Sequence, residues 1–267
     1  MRRILAALLF VPLIAWGQMW PQPGPGHAAY GGGGGGGITN VGSWQNDVRA
    51  SPLDISVSGI SAGDTIICWV QSDTDSATET FTWPSGFTQI GFTNISGPNG
   101  QYQAAALKPS ASGSESTLTI TSGFGSLMTG ACAAFSGVYN SGTAADAQDF
   151  TLQSDTLTSA TASPWALATT TAQTPAHAGA MIIGIMTDDL TTAGTYPGSM
   201  PVNVFTTTSG STGSWTVMQT VNQANGWVSG SIGYAPYTSG AIGITGTGTL
   251  ASHSAGEILF TMALRPQ

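Results

Sequence analysis

The sequence predicts an all-β protein, a two-sheet antiparallel β-sandwich, and three observations predict it. From Val41 onward the chain is written in short runs rich in Thr, Val, Ile and aromatic residues, the side chains that suit a pleated, half-buried surface. Gly, Ser, Asn and Pro bound these runs at short, fairly regular spacing. No window carries a capped apolar period of 3.6 residues long enough to make a helix.

The elements follow in chain order. Met1-Arg2-Arg3 is a short basic stretch, Ile4 to Trp16 is continuously apolar apart from one proline, and Ala15-Trp16-Gly17 offers small residues for cleavage after Gly17. Residues 1–17 therefore read as a secretion signal, shorter than the ~20 apolar residues that an anchor helix requires. Residues 18–40, with three prolines and a run of seven glycines, cannot bury a core and read as a flexible tether. The sandwich is expected over 41–267. Its candidate strands are 53–58, 65–71, 87–93, 101–108, 116–121 and 128–135, then 147–153, 179–186, 202–208, 214–221, 227–234, 240–245 and 257–264.

The two halves echo each other. "AGDTIICWV" (62–70) parallels "HAGAMIIGI" (177–185), and "GACAAFSGV" parallels "LFTMALRP". "YQAAALKPSASGSESTLTIT" (102–121) parallels "SGSIGYAPYTSGAIGIT" (229–245). The offset, about 115 to 130 residues, is too long for a solenoid repeat. It suits two loosely related strand sets packed face to face, since neither covers its own apolar face alone.

Composition excludes some partners. Only 7% of the residues are charged, against about 25% in an average domain. Past the signal, Arg49, Lys108 and Arg265 stand against thirteen acids, so no basic surface exists to neutralise nucleic-acid phosphates or an anionic membrane. After cleavage no segment is apolar enough to form an integral membrane span. Cys68 and Cys132 can form one disulfide in an exported chain. Both also sit in apolar runs where a free thiol packs as a small hydrophobe, and the sequence does not choose between the two.

Gly59-Ile60-Ser61-Ala62-Gly63 spells the G-x-S-x-G pattern of a hydrolase nucleophile. That chemistry needs a strand, a sharp turn and then a helix whose N-terminus helps hold the oxyanion. Here a strand follows, so Ser61 is expected in a turn and no catalytic residue is assigned. Asp73, Asp75 and Glu79 place oxygen ligands at i, i+2 and i+6, a spacing open to Ca²⁺, although the stretch lacks the glycine and length of an EF-hand loop. A solvated acidic turn is the plainer reading, and no other cofactor is expected. Trp69 lies inside an apolar strand and reads as core. Trp83, Trp227 and Tyr237 flank turns, where an aromatic ring either stacks on a sugar or caps the end of a sandwich core.

"GDTIICWV", "PSGFTQIG", "YQAAALKPSASGSESTLTIT", "ACAAFSGV" and "MALRP" occur in an order that resembles a jelly-roll-like β-sandwich family found in phage virion and tail proteins and in exported bacterial surface proteins. The resemblance covers roughly 60–266 and implies a jelly-roll or concanavalin-like sandwich. It carries no catalytic residues, and Phe87 stands where the pattern often has Trp. Taken with the signal, it implies an exported module, secreted or at the cell surface; with no catalytic constellation in the sequence, the expected role is non-catalytic, either binding or structural, with a glycan, a surface polymer or a second copy of the chain as partner. The competing expectations are a carbohydrate-active enzyme on a concanavalin-like sandwich and a virion- or tail-like assembly protein.

Overall fold

A computed structural model describes residues 37–73, 79–95, 100–124, 127–157, 165–168, 171–189, 204–222, 228–248 and 257–267. The expected signal, and the expected tether up to residue 36, lie outside them. Fifteen strands are described. The first eight are β1 (Thr39–Val48), β2 (Leu53–Ser56), β3 (Thr65–Asp73), β4 (Phe81–Thr82), β5 (Thr88–Ile95), β6 (Gln101–Lys108), β7 (Thr117–Ser122) and β8 (Leu127–Ser136). The others are β9 (Gln148–Leu157), β10 (Trp165–Ala168), β11 (Met181–Asp189), β12 (Val204–Thr212), β13 (Thr216–Asn222), β14 (Val228–Gly248) and β15 (Glu257–Leu264).

Three strands, β1, β4 and β10, go beyond the sequence expectation, and β1 begins at Thr39, inside the stretch assigned to the tether. The runs at 227–234 and 240–245 are one long strand, β14. No residue between Val228 and Gly248 forces a break, because the φ of +78° at Gly240 lets the chain bend there.

The sheets repeat one topology twice. In the first half β1-β8-β3-β6-β5 form a five-stranded sheet and β2-β7-β4 a three-stranded one. In the second half the inner order is β9-β15-β11-β14-β13, and β10-β14-β12 takes the place of β2-β7-β4. Strand β14 does the work of both β6 and β7: Val228 to Pro236 pair with β11, and later residues pair with β10 and β12. Every pairing is antiparallel. The two loosely related halves are thus two sandwiches of like design.

The two inner sheets pack face to face. Thr187 on β11 accepts a hydrogen bond from Gln101 at 2.9 Å and donates one to Gln103 at 2.7 Å, both on β6. Phe135 meets Tyr234 edge-on at 5.9 Å. The Trp69 ring, fully buried, fills the space above Gly230, where an added Cβ would lie 2.4 Å from Cη2. The outer face of each inner sheet is then covered by its three-stranded partner. Ile66, Val70 and Cys132 join Leu53, Ile55 and Ile120 in one core, and Gly184 and Gly233 lie under the Phe205 ring. The antiparallel sandwich expected from the sequence is present, with four layers where two sheets were expected. This is why β3, β6, β8 and β15 are buried along nearly their whole length on both faces. Among the described residues no helix is long and apolar enough to cross a membrane.

Candidate functional site

Ser61 sits in a tight turn leading into β3. The Asp64 amide donates to the Ser61 carbonyl at 3.2 Å, and the Asp64 carboxylate accepts the Ser61 amide at 2.7 Å. Gly59 and Gly63 hold φ of +73° and +92°, which explains the glycines of the pattern without any chemistry. The residues after the turn run straight into a strand, so no helix terminus faces Ser61.

The acidic stretch splits. Asp73 ends β3, Asp75 lies outside the described residues, and Glu79 turns inward and is buried. Both Glu79 oxygens are engaged. Ser72 and Ser122 donate hydroxyl hydrogen bonds at 3.1 and 2.7 Å, and the amides of Thr80 and Gly123 donate at 2.8 and 2.9 Å. Four donors on one carboxylate tie the start of β4 to β3 and to the end of β7. Among the described residues no three His, Cys, Asp or Glu side chains gather as a metal site would require.

Cys68 on β3 and Cys132 on β8 lie directly opposite each other, with Cα atoms 4.1 Å apart, and are joined by a disulfide. Both are buried, beneath β2 and β7. In the second half the same two register positions are Gly184 and Thr261.

Of the aromatic candidates, Trp83 and Tyr237 come to different places, and Trp227 lies outside the described residues. Tyr237 is half-buried on β14, beside β12, and packs against the apolar core that includes Phe205 and Ile242. Trp83 is half-buried on the first sandwich, where its indole N–H donates to Gln89 at 3.0 Å and its ring stacks on Phe87 at 6.4 Å. Beyond it lie rings that sequence reasoning missed. Phe92 is 41% exposed and touches Phe81 on one side and Tyr102 on the other, with centroids at 6.4 and 6.0 Å. Phe124, just past β7, is 52% exposed. Phe81, Trp83, Phe87 and Phe92 share the outer side of the first inner sheet because the covering sheet ends at β4, which is only two residues long. The missed signal was density: Phe81, Trp83, Phe87 and Phe92 fall within one short stretch of sequence.

Two further polar clusters are built around carboxylates. Glu115 accepts hydrogen bonds from Lys108 at 2.8 Å and from the Ser112 and Gly113 amides at 2.7 and 2.9 Å. Burial alone would raise its pKa, but the Lys108 ammonium, the turn amides and the Ser112 hydroxyl outweigh burial and hold it down to about 2. On the second half, the nearly buried Asp149 carboxylate accepts the His177 amide at 3.0 Å and meets His177 Nδ1 at 2.5 Å.

Comparison with protein-family models, with curated proteins and with solved structures finds nothing that matches this chain.

Proposed function

We propose that this chain is an exported, non-catalytic β-sandwich module that works by binding at the cell surface or outside the cell, through the aromatic face of its first sandwich. One observation carries the reading. Among the described residues the exposed large apolar side chains are Phe92, Phe124 and Tyr139; Phe92 lies among further rings, Phe81 and Tyr102, on the first sandwich, whereas Tyr139 packs beside Arg265 at the end of β15. The internal repeat acts as a control on this face. Phe92 pairs with Ala104 on β6, and the residue at the same register position of the second half, opposite Ser231, is Thr220. A ring at that position is therefore not required by the fold. Contiguous apolar groups on an otherwise polar surface, here Phe92 against Phe81 and Tyr102 with the Trp83–Phe87 pair on the same sandwich, mark contact sites. The expected signal sequence and the disulfide, a bond that persists outside the reducing cytoplasm, support export. The resemblance to exported surface sandwiches points the same way.

A carbohydrate-active enzyme would need an acid and a base converging on these rings. The carboxylate behind them, Glu79, is instead held by four hydrogen-bond donors. The test is sedimentation of the purified exported chain with insoluble envelope material from the producing cells. Binding is expected, weakened by about tenfold in Phe92→Thr, with the melting temperature preserved. Binding that ignores this substitution, or product release abolished by replacing one Asp or Glu, would overturn the reading.

A further inference from the structure

We infer that the ligand of this face is a neutral glycan chain; this rests on the binding role proposed above and names its chemistry. The face combines flat rings with uncharged hydrogen-bonding groups. Gln89 and Asn94 on β5 are exposed beside Phe92, and the Trp83 indole is already oriented by its bond to Gln89. Rings present apolar contact to the C–H faces of a sugar, while side-chain amides both donate to and accept from hydroxyl groups.

Charge removes the alternatives. The ion pair that borders the face, Lys108 and Glu115, is neutralised within itself; the Lys108 stem lies 3.2 Å from where a Cβ on Gly86 would stand. Past the signal, three Lys and Arg stand against thirteen Asp and Glu, so the chain repels an acidic polysaccharide. Size removes a folded protein partner. A stable protein interface uses about 20–30 residues a side, whereas this face offers one exposed ring, Phe92, and a few half-buried ones. A sugar chain is held by a row of this length, each ring stacking on one unit.

The experiment is affinity electrophoresis of the full exported chain through gels containing a neutral polysaccharide (cellulose derivatives, xylan, glucomannan, soluble chitin or starch) or an acidic one (alginate, polygalacturonate). Retardation by at least one neutral polymer is expected, unchanged by high salt, and reduced about tenfold by Phe92→Thr and by Trp83→Ala. Tyr237→Ala, on the other sandwich, should leave it unchanged. Near-ultraviolet circular dichroism and melting confirm that each variant is folded. Retardation by acidic polymers only, or retardation indifferent to Phe92 and Trp83, would overturn the inference. So would envelope binding that Phe92→Thr abolishes in a chain that no neutral polymer retards; that outcome would leave the binding role standing. If the face affects neither assay, both proposals fall.

Discussion

Cys68 and Cys132 in the first sandwich, and Gly184 and Thr261 in the second, occupy corresponding positions on corresponding strands. One pair is cross-linked. Over the other the chain lays the Phe205 ring, which rests on Gly184 and Gly233 and is itself backed by Trp215 at 5.2 Å. A second contrast lies in the turns that enter the central strands. Ser61 and His177 are equivalent, since each accepts the amide of the residue three further on and that residue's carbonyl then accepts an amide from a neighbouring strand or turn. In the first sandwich the carboxylate on the turn amide comes from Asp64 in the same turn. In the second it comes from Asp149, on β9. The comparison separates what the fold requires, a filled space and a capped amide, from the side chain that supplies it. By that measure a ring present in one sandwich and absent from the other, such as Phe92, is a candidate for function rather than architecture.

The largest expected effect comes from removing the second sandwich's own filler. Phe205→Ala should cost about 3–5 kcal/mol, because the buried ring leaves a cavity over two glycines whose backbones cannot close it. Denaturant unfolding measures this; a loss under about 1 kcal/mol would mean that Phe205 is not the counterpart of the disulfide. Next in size is the cross-link itself. Replacing both Cys68 and Cys132 with Ala opens a loop with a sequence separation of 64 and should cost about 4 kcal/mol. The loss should appear first in amide exchange from β3 and β8, and equal loss from β11 and β15 would break the assignment of the bond to one sandwich.

The smallest effect sharpens a difference between turns. The turn from β6 to β7 is held by Glu115, and the second sandwich has an unbroken strand at that place. Because the Glu115 pKa is lower in the folded chain than its usual 4.5, its stabilisation is complete above that value and is lost as the pH falls toward about 2. Glu115→Gln should lower stability at neutral pH by about 1–2 kcal/mol and flatten the acid limb of a stability-against-pH curve. An unchanged acid limb would show that the turn does not depend on the charge.

Part of this was legible in the sequence. The "TLTIT" alternation of β7 reads directly as one buried and one solvated face, and its burial alternates as written. The unbroken apolar runs of β3, β6 and β8 were legible as strands, but they also report burial on both faces, and that second message implies a layer on each side. The acidic loop looked like one unit because neighbouring carboxylates share a stretch of chain. Only the fold shows that Glu79 points inward to Ser72 and Ser122 while Asp73 ends a strand. Phe92 was hidden for a related reason. Its exposure is decided by how far β4 extends, and "FTQIGFT" contains nothing about the length of a strand in another sheet.

Strand β14 has a consequence for how the molecule comes apart. In the first sandwich the inner strand β6 and the outer strand β7 are separate pieces joined by a turn, so the outer sheet can peel away while the inner one stays paired. In the second sandwich a single backbone passes from one layer into the other, and fraying of its outer end pulls on the ladder of β11. The second sandwich is thereby one cooperative unit, while the first contains a detachable flap. That flap covers the core beside the aromatic face, so this layer and the proposed point of contact lie on the same sandwich.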